Sequence, residues 1–296
     1  MSFDLYFYKR KRQTISEREI GDYLTNNLTP SNEGGNQWYF ENEDTEVYFS
    51  FDHNEPEDDP EEIELFENFP DFDNTHFTFN INFLRPNFFG LEAFKFVDKF
   101  ISELNLFVLN PQSNVDADNP LKYCEEELFN NWAAINLGQS AEHFKEFDLS
   151  YYPLDKSNNL WNFNFKRKEF QEQLGNNYFV PGVFYLKRLD TNDTVSVLIW
   201  SEHLPILFPA VDFVLISKRY KKLFKIIEKS GIVSSETIIK NFGNYLDNYN
   251  AFDCKIIHPV DAHKLKDIFN GLKMEFKVKE FCERIGMEKM VNTLPV

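Results

Sequence analysis

Between Glu41 and Asp73 the chain carries 15 acidic residues and no lysine or arginine. No other feature constrains the fold so strongly. Its central part, DHNEPEDDPEE, adds two prolines and cannot be a central strand, so it reads as a solvated loop. Counted by region, residues 1–120 hold 25 Asp and Glu against 8 Lys and Arg, a net of −17, whereas 121–296 hold 23 of each. The whole-chain charge therefore belongs to one end. Such an end repels phosphates and anionic lipid and steers basic partners toward itself.

The flanks of the acidic stretch alternate with a period of two. In SFDLYFYK, Phe3, Leu5 and Phe7 oppose Asp4, Tyr6 and Tyr8; in HFTFNINFL, Phe77, Phe79, Ile81 and Phe83 alternate with polar residues. WYFENE and TEVYFSFD form an expected hairpin around Asn42 to Asp44. Two helices are expected between these strands. One spans about 17–27, where Ser16 and Glu19 stand at capping-box spacing and Ile15 and Ile20 at staple positions; the other spans about 90–104, carrying Leu91, Phe94, Val97, Ile101 and Leu104. LNLFVLN adds a last strand. Merging or demoting one of the middle strands of the order β-α-β-β-β-α-β gives the expected α+β fold: a ferredoxin-like (split βαβ), mostly antiparallel sheet with two helices over 1–112.

PQSNVDADNP is poor in apolar residues, and 113–120 reads as a linker. A second α+β domain is expected over 121–296, opening on a helix striped by Leu121, Cys124, Leu128, Trp132 and Ile135. GVFYLKRL and TVSVLIW read as a hairpin, and AVDFVLIS as a further apolar run. The basic segment SKRYKKLFKIIEK reads as a helix with Tyr220, Leu223, Phe224 and Ile227 on one face, docked internally or solvated rather than bound to nucleic acid. Helices are also expected from Ser235 to about Asp247, from Asp261 and from Lys277, with a strand over Cys254 to Ile257.

Composition fits a packed core, with 42% apolar and 17% aromatic residues. The 33 phenylalanines are consistent with a low-GC genome. Cys124, Cys254 and Cys282 lack the spacing of a disulfide framework and read as reduced thiols. The N-terminus lacks a secretory pattern and no run approaches 18 apolar residues, so a cytoplasmic, membrane-free protein is expected.

Motifs for chemistry are sparse. His258 and His263 are five apart across Pro259, a poor spacing for a shared ligand face, and the better reading is a helix start capped by Asp261. Cys254, His258 and Asp253 are sequence neighbours, which seldom assemble a nucleophilic set. The acidic stretch lacks the glycine of a calcium loop, and no dinucleotide, Walker or nucleophile-elbow motif is present. Trp38, Trp132, Trp161 and Trp200 read as core. No catalytic residue, metal or cofactor is expected.

The segments SFDLYFYKRK, FNINFLRP and LPILFPAVDFVLISKR resemble bacterial proteins found beside polymorphic or type VI toxins, the immunity-type proteins. The resemblance implies a non-enzymatic protein that binds and blocks a cognate toxin. An acidic face suits a cationic toxin or other basic protein, with Glu41, Glu43, Asp44, Glu46, Asp58, Asp59, Glu61 and Glu62 setting encounter and Tyr48 anchoring. The alternatives are a self-assembling or adaptor module, and an enzyme whose scattered site would use His203 or His258 with Asp212 or Asp261.

Overall fold

The structure is a computed structural model that describes residues 1–31, 35–56, 58–112, 119–222, 225–249 and 252–295. The chain is a mixed α+β protein of two compact units, Met1–Phe144 and Lys145–Leu294.

The first unit runs β1 (Ser2–Arg10), α1 (Glu17–Asn27), β2 (Thr29–Pro30), β3 (Gln37–Asn42), β4 (Val47–His53), α2 (Pro60–Phe66), β5 (Phe72–Asn82), α3 (Phe88–Glu103), β6 (Phe107–Leu109) and α4 (Glu125–Glu142). Its six strands are ordered β2-β3-β4-β5-β1-β6, and every ladder is antiparallel. Alternation drives Phe3, Leu5, Phe7, Phe49, Phe51, Phe77, Phe79 and Ile81 to one face, all buried. On that face α3 sets Phe94 edge-on against Phe3 at 5.8 Å and Phe100 edge-on against Phe7 and Phe51 at 4.9 and 5.0 Å. Each such ring contributes about 1.5–3 kcal/mol by leaving water. α1 joins the same side: its capping box closes through Ser16 and Glu19, and Ile20 and Leu24 are buried.

Two features depart from the sequence reading. The acidic stretch is not wholly loop, because Asp59 caps α2, accepting from the Glu61 amide at 2.9 Å, with Pro60 at the first helical position. The first unit also extends to Phe144 rather than ending at 112. The reason is a notch at Gly90 of α3, where an added Cβ would stand 2.6 Å from the ring of the fully buried Trp132 of α4. Most of the expected linker, 113–118, lies outside the described residues.

The second unit runs β7 (Ser150–Tyr151), α5 (Leu154–Phe165), α6 (Arg167–Leu174), β8 (Val183–Arg188), β9 (Thr194–Ser201), β10 (Ile206–Phe208), β11 (Phe213–Lys222), β12 (Lys225–Ser234), α7 (Ser235–Phe242), β13 (Asp247–Asn248), β14 (Lys255–Ile257), α8 (Pro259–Gly271), α9 (Val278–Phe281), β15 (Cys282–Arg284) and β16 (Met290–Val291). Five strands order as β12-β11-β9-β8-β15, with β9 and β11 parallel and the other ladders antiparallel. The expected β8–β9 hairpin is present. The basic segment is a strand pair, not a helix: β11 and β12 pair from Phe213↔Ser234 to Lys222↔Lys225. Leu223 and Phe224, half of the expected helical stripe, lie outside the described residues. Asp261 does not cap α8, whose N-cap is His258; Asp261 sits in the first turn and pairs with Lys264 at 2.7 Å. The helix expected from Ser235 ends at Phe242.

Candidate protein-docking face

Residues out of phase with the core line the other face of the six-stranded sheet. Cross-strand register sets them in rows: Tyr39, Ser50, Asn80 and Asp4 form one, Gln37, Asp52, Thr78 and Tyr6 the next, and Glu41 pairs with Tyr48 beyond. These rows contain three carboxylates, Asp4, Glu41 and Asp52, and no base. Tyr39 and Tyr48 are 43% and 36% exposed, enough for a partner to stack on them.

The polar side chains on this face hold one another in place. Asp4 accepts from Asn80 Nδ2 at 2.5 Å and from Ser2 Oγ at 3.0 Å, Ser50 donates to Asp52 at 3.4 Å, and Tyr39 donates to Gln37. Burial raises the Asp52 carboxyl above its ordinary range, hydrogen bonds from Gln37 and Ser50 pull it back, and the Asp4 charge adds to the rise.

Tyr48 is fixed from beneath. Its hydroxyl accepts from Arg85 Nε at 3.0 Å and Nη2 at 2.6 Å, and its ring meets Phe89 edge-on at 5.5 Å. Arg85 is itself only 9% exposed, and its Nη1 donates to the carbonyls of Phe83 and Leu84 at 3.3 and 3.0 Å. With two Arg85 donors on its oxygen, the Tyr48 hydroxyl keeps its own O–H to donate.

The turn beside this pair carries Glu43, Asp44 and Glu46. Asn42 organises it: its carbonyl accepts from the Thr45 and Glu46 amides at 3.2 and 2.7 Å, and its Oδ1 from Asp44 at 3.1 Å. Glu92 of α3, only 6% exposed, grips the turn from below by accepting from Asn42 Nδ2 at 2.5 Å and Thr45 Oγ1 at 2.9 Å. A buried carboxylate thus holds exposed ones in position.

At the opposite end of β4 the chain enters α2, bringing Asp58, Asp59, Glu61 and Glu62, all exposed. This helix buries none of its own residues completely. It is tied to the open face through aromatic contacts: Phe66 stacks on Tyr6 at 4.5 Å, Tyr8 Oη donates to the Phe66 carbonyl at 2.9 Å, and Phe69 meets Tyr8 edge-on at 5.2 Å. Glu41 and Tyr48 are therefore brought together with the turn acids, whereas the α2 group stands apart at the other end of the strand. Sequence reasoning missed Tyr39 and Asp4 and took Asp52 only as one of the acids between Glu41 and Asp73, although the alternation that turns Tyr48 to this face turns all three to it. It also missed Ile63 and Leu65, 39% and 62% exposed among the α2 acids.

The sites imagined for catalysis fare differently. Cys254 is 2% exposed, and burial, then the Asp253 charge, pushes its thiol up to about 12. His258 contacts Tyr178 through Nδ1 at 2.8 Å and Asp247 through Nε2 at 3.5 Å rather than Cys254 or Asp253. Asp212 is engaged by Lys156 Nζ, Tyr152 Oη and Ser196 Oγ at 3.0, 3.0 and 2.9 Å, not by His203. Tyr152 and Ser196 are buried at 2% and 0% exposure, so this cluster ties the chain before α5 to β9 and the start of β11. Among the described residues no three His, Cys, Asp or Glu gather to hold a metal ion, and no helix is long and apolar enough to cross a membrane. No family model, curated protein or solved structure matches the chain.

Proposed function

We propose that this chain is a non-enzymatic, cytoplasmic binding protein of the immunity type, which docks on a cationic bacterial toxin and occludes it. One observation supports the reading: the acid-only stretch is held by buried Glu92 under the turn and by half-buried Phe66 and buried Phe69 beside Tyr6 and Tyr8, so that carboxylates and two exposed tyrosines are displayed on a fixed frame. Preorganised anchors lose little freedom on binding, and a one-sign surface accelerates encounter with the opposite sign. Glu41, Glu43, Asp44, Glu46 and Tyr48 form one contact zone and Asp58, Asp59, Glu61 and Glu62 a second. For the fold of the first unit we propose the split-βαβ arrangement, supported by the order β6-β1-β5-β4, with β3 and β2 added at the β4 edge.

Affinity capture from the native host at 50 mM and then 300 mM salt tests the function. The reading expects one basic protein, released as salt rises, that rebinds when purified and loses its toxic activity in the complex. A bait that is folded yet captures no basic protein, or one whose captured partner keeps full activity when bound, contradicts it.

A further inference from the structure

The first unit is acidic, yet half of the eight Lys and Arg in residues 1–120 fall in one run, Lys9, Arg10, Lys11 and Arg12, at the end of β1. Alternation along β1 turns Arg10 to the same open face as Tyr6 and Tyr8, in register with Phe72 of β5. Its guanidinium lies over two rings, 5.5 Å from the centroid of Phe72 and 5.1 Å from that of Phe107 of β6. These rings meet edge-on at 4.9 Å and are half-buried, so they form a fixed floor. Lys122 reaches the same floor from the segment that pairs with β6 through Leu121. Its Nζ is 4.4 Å from the Phe107 centroid and donates to Asn105 Oδ1 at 3.0 Å and to the Leu106 carbonyl at 2.6 Å.

Cations laid over aromatic rings can serve packing alone, at about 0.5–1 kcal/mol per exposed pair. Packing accounts for either cation but not for two over one ring, because their charges oppose. Burial first, and then the Arg10 charge, hold the Lys122 ammonium below its ordinary range. Among the described residues neither Arg10 nor Lys122 pairs with a carboxylate, and both Lys122 acceptors are neutral. Asp71 and Asp73 flank Phe72 in sequence but stand beside Lys11 and Lys9, out of phase with Arg10. Arg10 and Lys122 are both exposed, and donors remain on each: the third ammonium proton and, among the described residues, those of the guanidinium.

We propose that Arg10 and Lys122, above Phe72 and Phe107, form a binding site for a phosphate-monoester dianion. Two held cations match two charges, whereas a carboxylate brings only one. A phosphate monoester carries nearly two negative charges at neutral pH on three acceptor oxygens, and a guanidinium presents its donors to two of them at once. A phosphate accepting at about 2.8 Å on either side links nitrogens roughly 8 Å apart. Arg10 and Lys122 lie over one ring and so within such a reach of each other. The site takes the opposite charge from the acidic docking zones and does not depend on them.

Chemical-shift titration of the full chain with glycerol 2-phosphate in 150 mM salt at pH 7.5 tests this. The Arg10 Nε–H and the Phe107 amide should shift saturably with a Kd on the order of 1 mM, while acetate at equal concentration should leave them in place. Arg10→Gln and Lys122→Gln should each weaken binding at least fivefold. In the unsubstituted chain, saturating glycerol 2-phosphate should slow acetylation of Lys122 at least threefold, a readout that needs no variant to fold. A phosphoserine hexapeptide that binds more tightly than glycerol 2-phosphate assigns the group to a protein partner; one that binds no better assigns it to a free phosphorylated molecule. The absence of a saturable shift, acetate as effective as the phosphate, unchanged affinity in both folded variants, or undiminished acetylation of Lys122 overturns the proposal.

Discussion

Arg85 donates to the hydroxyl of Tyr48 through two nitrogens, Nε at 3.0 Å and Nη2 at 2.6 Å, and so connects a buried cation to an exposed ring. Removing that oxygen should matter more than a surface position suggests. Tyr48→Phe leaves two donors of a guanidinium that is 9% exposed without their acceptor, at a cost of about 1–3 kcal/mol. Urea unfolding measures it. A loss below about 0.5 kcal/mol, the range of an ordinary surface change, would mean that Arg85 does not depend on Tyr48.

Gly90→Ala puts a methyl 2.6 Å from the Trp132 ring, and helix α4 must shift to admit it. The expected destabilisation is about 1–3 kcal/mol, and Trp132→Ala should cost about 3–5 kcal/mol. Both losses should appear in the unfolding of a fragment spanning residues 1–144. A fragment ending at 112 that is equally stable would remove α4 from the first unit.

The thiols should differ sharply in reactivity. Cys124 is exposed, whereas Cys254 is buried with its thiol pushed up to about 12, leaving roughly one thiolate in 10⁴ at pH 8. Burial raises Cys282 as well. Iodoacetamide at pH 8 should therefore label Cys124 alone in the native protein, as read by peptide mass. Rapid labelling of Cys254 would contradict its burial.

Asp212 ties stability to pH. Burial pushes its carboxyl up, but the Ser196 amide, Lys156 and the Ser196 hydroxyl outweigh that and leave it below the ordinary range. A depressed carboxyl stabilises the fold above its unfolded pKa of about 3.9, and that contribution is lost as pH falls through the lower folded value. Asp212→Asn should then cost about 1–3 kcal/mol at pH 7 and much less near pH 2. An equal loss at both pH values would show that its charge is not what matters.

The strands and helices facing the first core are legible because each carries one clear period. Phe3, Leu5 and Phe7 alternate, and Ser16 with Glu19 marks the start of α1. The basic segment misled because Tyr220, Leu223, Phe224 and Ile227 fit a helical stripe, while pairing of Phe213 to Ser217 along β9 decides for strand. Local spacing carries no sign of that partner. Membership of α4 was hidden for a related reason: its stripe shows a buried face but not which core receives it, and the receiving notch is a missing side chain at Gly90. At the docking face the acids are legible by composition. Their supports, Glu92 and Arg85, come from α3 and the segment just before it, far off in sequence, and only the fold brings them under the β3–β4 hairpin.

The acidic frame as the docking surface for a basic partner is the central claim, and association kinetics with the purified partner test it most directly. Stopped-flow rates would be compared at 20 and 200 mM salt for the native chain and for a variant carrying Asp58→Ser, Asp59→Ser, Glu61→Ser and Glu62→Ser. The account predicts that the native rate falls at least tenfold with salt, and that the variant starts slower and falls less. Identical rates and identical salt dependence for the two proteins would contradict it.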